Sequence, residues 1–273
     1  MIKFPAVMGV LNVTPDSFSD GGRFLDPDRA VEHALEMEAG GADIIDVGGE
    51  STRPIGAREV SLDEELARVT PVLRRLSGKL RVPISIDTRR VEVATLALDA
   101  GAAIINDISA LTDPAMVALA AAAKCGVVLM HMRGGPADHS KFARYNNVVV
   151  EVVKFLAERA RDAIANGIAR SRIILDPGIG FAKNAGHNLE LIRNLPRICA
   201  LGYPVLIGTS RKTFVRKIAG ASAEQMLLGT AAIDAIAIAN GASIVRVHEP
   251  GPARAAVAMA AAISRARVTG TIG

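Results

Sequence analysis

The protein has 273 residues, half of which are hydrophobic, and a formal net charge of only +4. That much apolar surface can bury a sizeable core, which excludes a disordered chain. Aromatic residues make up 3% of the sequence and Trp is absent, so a stacking platform for nucleic-acid bases is not expected. The basic residues are dispersed along the chain, a pattern that favours an anionic small molecule over nucleic acid as the partner.

The cysteines and the apolar windows bear on localisation. Cys125 and Cys199 lie far apart and in no metal-ligand spacing, which is typical of a reducing compartment. Residues 1–10 lead into an apolar stretch without the basic region and cleavage site of a signal peptide. The most apolar windows, 115–123 and 229–239, are too short or too interrupted to span a bilayer. We therefore expect a cytoplasmic protein that does not interact with membranes.

Strand-like and helical segments alternate along the chain. Short runs rich in β-branched residues or Leu predict strands buried on both faces, at 6–13, 44–47, 84–87, 104–108, 127–132, 173–176, 205–207 and 244–248. Segments of helical period lie between or after them, at 29–38, 62–76, 91–100, 114–124, 148–166, 187–195, 223–240 and 252–266. Several helices are followed by a glycine that fits a left-handed cap, among them Gly41, Gly101 and Gly126.

These units predict the fold. They follow one another without a linker or a change in composition, which indicates a single domain over residues 1–273. About 250 residues is the usual length of a closed (β/α)8 barrel, whose active site lies at the C-terminal ends of the strands. An open doubly wound sheet is the alternative, but no G-x-G-x-x-G motif follows the first strand. We expect an α/β fold, a single-domain (β/α)8 TIM barrel with the active site at that rim.

Polar residues follow nearly every predicted strand. One polar strand end is usually a turn or a helix cap, but such ends in register would meet at one rim of a barrel. The strand starts follow Gly-Ala, Val-Pro or Tyr-Pro connections instead, and this asymmetry favours a functional site. The strand-end residues are Asn12, Asp46, Asp87, Asn106, Asp107, His131, Asp176, Ser210, Arg211, Lys212, Arg246 and His248.

The strand ends suit two kinds of ligand group. Asp87, Asn106 and Asp176 offer acceptors and an amide for a flat heterocycle with adjacent N–H groups. A basic set suits the oxygens of a phosphate or diphosphate, and it consists of Arg53, Arg246 and His248 with Asn12. One Asn without a carboxylate cluster suits Mg²⁺ whose other ligands are phosphate oxygens and water.

No obvious Ser–His or Cys–His pair supplies a nucleophile. Loops 12–22 and 48–56, with their Gly and Pro residues, suit lids that exclude water.

Eight motifs occur in order over nearly the whole chain: NVTPDSFSDGG, IIDVGGESTRP, ISIDT, INDIS, VLMHMRG, ILDPGIGF, IGTSRK and VRVHEP. Together they resemble the dihydropteroate synthase family of folate biosynthesis. The resemblance implies a transferase that joins 6-hydroxymethyl-7,8-dihydropterin diphosphate to 4-aminobenzoate, which gives 7,8-dihydropteroate and pyrophosphate. It also implies Mg²⁺ as the cofactor, sulfonamides as inhibitors, a homodimer, and dissociative displacement of the diphosphate.

The resemblance also assigns site residues. The pterin would contact Asp87, Asn106, Ile108, Met130, Asp176, Phe181, Gly208, Lys212 and Arg246. The diphosphate would contact Asn12, Thr52, Arg53, Arg246 and His248, and Asn12 would also be the Mg²⁺ ligand. The 4-aminobenzoate site would be bordered by Phe18, Pro54, Phe181, Lys212 and Thr213. The catalytic residues would be Asn12, Lys212 and Arg246.

The chain departs from the family pattern at three places. Ile55 is interposed between Pro54 and a glycine, and residues 179–183 read Ile-Gly-Phe-Ala-Lys where the family usually has Phe-Gly-Phe-Gly-Lys. Thr213 stands where the family has Ser. All three bear on the aminobenzoate and sulfonamide side, whereas the residues for pterin recognition match the family.

Two other functions remain as alternatives. A methyltetrahydrofolate-dependent methyltransferase shares the Asp–Asn–Asp pattern, but it would not need the basic diphosphate cluster. A non-catalytic pterin-binding protein would be indicated by loss of Asn12, Lys212 or Arg246, and all three are present. The remaining histidines carry no predicted function, and we expect surface or capping positions for His33, His139 and His187.

Overall fold

The computed structural model describes residues 2–14, 26–50, 60–135 and 138–265. Within these ranges the strands form one parallel eight-stranded sheet. The strands are β1 (Ala6–Asn12), β2 (Ile44–Gly48), β3 (Ile84–Asp87), β4 (Ile104–Asp107), β5 (Gly126–Met130), β6 (Ile173–Asp176), β7 (Leu206–Ile207) and β8 (Ile244–Val247). Each begins and ends within two residues of the position that the sequence predicts.

The sheet closes into a barrel. Hydrogen-bonded neighbours run from β6 back through β1 and then through β8 to β7. A parallel bridge pairs Leu175 of β6 with Val205, directly before β7, and the Leu175 N–H donates to the Pro204 carbonyl at 2.9 Å. Both edges of the sheet are therefore paired, which confirms the predicted (β/α)8 barrel and rules out the open sheet.

Helices surround the barrel. They are α1 (Pro27–Ala39), α2 (Leu62–Leu76), α3 (Val91–Asp99), α4 (Pro114–Ala123), α5 (Val148–Ala165), α6 (Ala185–Arg193), α7 (Leu195–Cys199), α8 (Thr213–Ala219), α9 (Ala223–Ala239) and α10 (Pro250–Arg265). Short 3₁₀ turns occur at His139–Phe142 and Arg170–Arg172. None of the helices within the described ranges is long and apolar enough to cross a membrane.

Three local features differ from the predictions. The sequence does not predict α7, which starts anew around Pro196, a residue that the first turn of a helix tolerates. Nor does it predict α8, since seven residues are too few for a clear helical period. Gly126 is not a helix cap: Lys124 takes the left-handed conformation at φ 52°, and Gly126 begins β5.

The barrel interior is filled near the strand starts. Met8 of β1 lies in a buried cluster inside the barrel, together with Ala6, Ile44, Ile104, Val128, Ile174, Leu206 and Ile244. Neighbouring strand positions such as Val7 and Leu11 belong to the larger core between sheet and helices. Because apolar side chains close the N-terminal half, the polar strand ends surround a pocket at the other rim.

Candidate active site

A pocket of about 450 Å³ lies at the C-terminal ends of the strands. Every predicted site residue within the described ranges lines it: Asn12, Asp87, Asn106, Ile108, Met130, Asp176, Phe181, Gly208, Lys212, Thr213, Arg246 and His248. Phe18, Thr52, Arg53, Pro54 and Ile55 lie outside the described residues. The pocket therefore brings the predicted acidic, amide and basic groups together.

Strand register explains this convergence. Asp87 is the last residue of β3, and it is paired with Asn106, one residue before the end of β4. Met130 and Asp176 are the last residues of β5 and β6 and are likewise paired. Parallel strands in register bring their C-terminal side chains to one edge, so positions far apart in the sequence become neighbours.

Arg246 of β8 is held by two carboxylates. Its Nε donates to Asp46 Oδ2 at 2.7 Å, and its Nη2 donates to Asp87 Oδ2 at 2.6 Å. Asp46 is completely buried and also accepts from Asn106 Nδ2 at 2.9 Å. One carboxylate beneath the pocket thus orients both an arginine and an asparagine of its lining.

The ionisation of these groups follows from burial and from each other. Burial raises the pKa of Asp87 to about 7, and the nearby Asp46 charge adds to the effect while Arg246 opposes it. Burial alone would lower the pKa of Arg246, but Asp46 and Asp87 outweigh it and raise that pKa above its usual value. Arg246 therefore stays cationic, and Asp87 titrates near neutral pH.

Asp176 ends β6, and its side chain contacts the turn that follows. Its Oδ1 accepts the Gly178 N–H at 2.7 Å. Burial raises the pKa of Asp176 to about 6, although the hydrogen bond from Gly178 and the charge of Lys212 oppose the rise. Its carboxylate is therefore ionised at neutral pH, and it can accept N–H groups from a ligand.

Lys212 precedes α8 and points along the pocket wall. Its Nζ lies 4.0 Å from the centroid of the Phe181 ring, a cation–π contact. A Cβ at Gly180 would lie 2.9 Å from Lys212 Cδ, so a side chain there would displace the lysine. Burial and the Arg246 charge lower the pKa of Lys212 to about 8, which leaves it cationic at neutral pH.

A Ser–His contact that the sequence did not indicate is also present. Ser210 Oγ lies 2.9 Å from His248 Nδ1, and the His248 backbone N–H donates to the same hydroxyl at 3.3 Å. The expectation that the rim has no such pair is therefore wrong. The two residues are 38 positions apart and meet because β7 and β8 are neighbours.

The donor set around Asn12 decides whether a metal would fit. No group of three or more His, Cys, Asp or Glu side chains in the described part of the chain could hold a metal ion. Asn12, the last residue of β1, lines the pocket together with Arg246 and His248. An amide oxygen in a pocket suited to an anion fits Mg²⁺, which usually keeps water and substrate phosphate oxygens as its other ligands.

Comparison with known proteins identifies the family. Residues 8–248 match the family described as pterin binding enzyme. A curated dihydropteroate synthase of Synechocystis is 49% identical over 245 residues, which is 89% of this chain and 84% of that protein. A dihydropteroate synthase of Bacillus subtilis is 48% identical over 89% of this chain and 83% of that protein. This chain belongs to the dihydropteroate synthase family.

Solved structures of dihydropteroate synthases have the same fold. That of Xanthomonas albilineans with 4-aminobenzoic acid is 43% identical, with a TM-score of 0.90 over 97% of this chain and 95% of that one. That of Yersinia pestis in a sulfonamide drug complex is 41% identical, with a TM-score of 0.90 over 96% and 95%. The predicted family, fold and enzyme class, a transferase of folate biosynthesis, are confirmed.

The sequence missed three side chains at or directly beneath this pocket. The sequence predicts Asp46 to be a strand-end residue but assigns it no function. Its contact with Arg246 exists only because β2 and β8 both pair with β1. Lys183 and His139 line the pocket wall. His139 is buried, so the expected surface or capping position is wrong, whereas His187 takes part in the N-terminal capping box of α6, as expected.

Proposed function

We propose that the chain condenses 6-hydroxymethyl-7,8-dihydropterin diphosphate with 4-aminobenzoate, which gives 7,8-dihydropteroate and pyrophosphate. The observation that carries the proposal is the division of one pocket into acceptors and cations. Asp87, Asn106 and Asp176 suit the N–H edge of a pterin, whereas Lys212, Arg246 and His248 suit a diphosphate. A Xanthomonas albilineans relative has been solved in complex with 7,8-dihydropteroate, and it is 40% identical, with a TM-score of 0.87 over 98% of this chain and 96% of that one.

The walls of the pocket suit a flat ring. Ile108, Met130 and Phe181 form a buried apolar cluster at the pocket, against which Met132 packs. The Arg246 guanidinium, fixed by two carboxylates, offers a planar cation that can stack on a heterocycle. An apolar wall with a few oriented polar groups is the usual composition of a small-molecule site.

The cations of the pocket support a dissociative reaction. The bond from the pterin methylene carbon to the diphosphate oxygen breaks, and its electron pair leaves with the diphosphate. The amine nitrogen of 4-aminobenzoate then attacks the methylene carbon and loses a proton to water. Lys212 and Arg246 stabilise the negative charge that develops on the leaving group, so no protein nucleophile is needed.

Asn12 would hold Mg²⁺ in this site together with diphosphate oxygens. The bound ion would supply additional neutralisation of the leaving group. Its role is tested by the rate of pyrophosphate release with Mg²⁺ and with excess chelator. Loss of release in chelator and recovery on adding Mg²⁺ support the assignment, whereas an unchanged rate contradicts it.

The proposed reaction is tested by pyrophosphate release from the dihydropterin diphosphate, with and without 4-aminobenzoate. Release that depends on 4-aminobenzoate supports the condensation. Binding of the pterin without turnover would instead indicate a non-catalytic pterin-binding protein. To test dissociation, the bridging oxygen is labelled with ¹⁸O and the arylamine is omitted. Migration of the label within recovered substrate supports reversible dissociation, and its absence contradicts it.

Sulfonamides are proposed as inhibitors that compete with 4-aminobenzoate. The Yersinia pestis relative was solved in complex with a sulfonamide drug. Thr213, which lines the pocket next to Lys212, keeps the hydroxyl of the serine that the family usually has there. Inhibition that 4-aminobenzoate relieves supports this proposal, whereas inhibition that it does not relieve contradicts it.

A homodimer is proposed from the exposed apolar residues of α9 and α10. Leu228 and Ile236 of α9, and Met259 and Ile263 of α10, are each more than half exposed. Such side chains on two adjacent helices favour an interface between subunits. The mass of the particle in solution is measured by sedimentation equilibrium. A mass of two chains supports the dimer, and the mass of one chain at micromolar protein concentration contradicts it.

A cytoplasmic location is proposed on the state of the cysteines. Cys125 is buried, Cys199 is half-buried, and both are free thiols. Free thiols in a structure without disulfides among the described residues are typical of a reducing compartment. Fractionation of the source cells tests this, since recovery outside the cytosolic fraction contradicts it.

A further inference from the structure

The segment between β6 and α6, residues 177–184, contains Phe181 in an unusual backbone conformation. Gly178 and Gly180 have φ angles of +66° and +84°, in the left-handed region that favours glycine. Ala182 has a φ of +49°, also in the left-handed region, although it carries a side chain. Such a conformation persists only where the surrounding contacts enforce it.

Lys183 supplies one set of those contacts. Its buried Nζ contacts His131 Nδ1 at 3.0 Å and donates to the carbonyl oxygens of Gly178 at 3.0 Å and Phe181 at 2.9 Å. A fourth contact reaches the His131 carbonyl at 3.3 Å. Lysine is rarely buried unless it is paired, and here one amino group ties the two sides of Phe181 to the end of β5.

His139 supplies the second set of contacts. Its Nδ1 accepts the Ala182 N–H at 3.0 Å, and its ring centroid lies 5.4 Å from that of Phe181. Burial, with the charges of Lys212 and Lys183, lowers the pKa of His139. The ring is therefore neutral at neutral pH, with Nδ1 free of a proton and able to accept.

These contacts converge on Phe181. Lys183 binds its carbonyl, His139 binds the next N–H, and the His139 ring packs beside the aromatic ring. The Phe181 ring in turn lies 4.0 Å from Lys212 Nζ. The position of Lys212 at the pocket therefore depends on Lys183 and His139, which line the same pocket.

We propose that Lys183 and His139 are positioning residues that hold Phe181 and Lys212 in place for the arylamine substrate, an inference that rests on the proposed function. Asp87 and Asn106, which suit the N–H edge of the pterin, are held by Arg246 and Asp46 and not by this segment. Phe181, Lys212 and Thr213, the described residues of the proposed arylamine site, all line the pocket. A shift of Phe181 and Lys212 thus disturbs most of the described arylamine contacts, whereas the contacts that hold Asp87 and Asn106 stay in place.

Two variants test the proposal, Lys183→Met and His139→Phe, which keep the size of the side chain but remove the polar contacts. Lys141→Met is the matched control, because Lys141 is exposed in the same 3₁₀ turn as His139. Both test variants should raise the KM for 4-aminobenzoate about tenfold or more, because displaced binding groups lose contact with this substrate. The pterin Kd should change by a smaller factor than this KM, because Asp87 and Asn106 keep their contacts, and the control should behave as the unmodified protein.

A second measurement does not depend on activity. Hydrogen exchange of the peptide that spans residues 177–184 should become faster in both variants and stay unchanged in the control, because the Ala182 N–H loses its enforced position. If the unmodified protein forms no dihydropteroate, the proposed function is overturned. The exchange rates still test whether Lys183 and His139 hold residues 177–184 in place. Variants with unchanged KM values and unchanged exchange, or with only a lower melting temperature, overturn the inference.

Discussion

Asp46 lies behind Arg246 and accepts a hydrogen bond from its Nε at 2.7 Å. The carboxylate is fully buried and does not line the pocket, whereas the guanidinium does. Asp46 also accepts from Asn106 Nδ2 at 2.9 Å. A single acidic side chain therefore connects the cation that suits the diphosphate with the amide that suits the pterin.

Replacement of Asp46 by Asn should weaken binding of the pterin diphosphate by about tenfold or more, because one partner of a buried charge pair is lost. The same change removes a charge that raises the pKa of Asp87, so that pKa should fall. Calorimetric titration measures the first effect, and carboxyl NMR shifts as a function of pH measure the second. Asp162→Asn, in an exposed pair with Arg159, is the control. Equal effects of the two substitutions would contradict the connecting role.

Pterin affinity should increase with pH between 5 and 8. Burial raises the pKa of Asp176 to about 6 and that of Asp87 to about 7, and both must be ionised to accept the N–H groups of the ligand. Affinity should therefore fall by at least about tenfold from pH 8 to pH 5. The probe is 6-hydroxymethyl-7,8-dihydropterin without its diphosphate, so that titration of phosphate groups does not contribute. A flat profile would rule out the carboxylates as pterin ligands.

Asp234 should make the folded protein less stable as the pH rises. It is fully buried on α9, accepts from Thr209 Oγ1 at 3.2 Å, and burial raises its pKa from 3.8 to about 7. Between these values the folded protein binds a proton that the unfolded chain does not, so the free energy of unfolding falls with rising pH.

Asp234→Asn removes this titration. At pH 8 the variant should be more stable than the unmodified protein by about 2 kcal/mol, and the difference should shrink towards pH 4. Denaturant unfolding at several pH values measures it, and the exposed Asp99 of α3, changed to Asn, is the control. A stability difference that does not vary with pH would mean that Asp234 is already ionised in the folded protein.

Ala182→Gly should stabilise the protein slightly. A left-handed conformation costs a residue with a side chain roughly 1–2 kcal/mol, and Ala182 has a φ of +49°. Glycine avoids this cost but loses more chain entropy on folding, so the net gain should be about 0.5 kcal/mol. Ala122→Gly, at an exposed position within α4, should instead destabilise by about 1 kcal/mol. If both substitutions destabilise equally, Ala182 is not strained.

The barrel and most of the pocket could be predicted from the sequence because both depend on local patterns. Buried strands appear as apolar runs, and a barrel brings the residue after each run to one rim, as it does Asp87 and Asp176. The order of the eight strand-end motifs indicates the family, and the similarity to known dihydropteroate synthases confirms it.

Contacts that join distant backbone atoms could not be predicted in the same way. Lys183 meets His131 across 52 residues, and Ala182 meets His139 across 43. Neither contact follows a period or a motif, since the partners include carbonyl and N–H groups that every residue carries. Asp46 is similar: its position at a strand end was evident, but its partner Arg246 is 200 residues away.

We propose that the buried carboxylates of this pocket recognise a pterin and thereby allow its transfer to an arylamine. The most direct test is the rate of 7,8-dihydropteroate formation from the dihydropterin diphosphate and 4-aminobenzoate, measured by mass spectrometry for the unmodified protein and for Asp176→Asn. Product formation by the unmodified protein, with kcat/KM for the pterin reduced by about a hundredfold in the variant, is predicted. The absence of product from the folded protein, or equal rates for the unmodified protein and Asp176→Asn, would contradict this function.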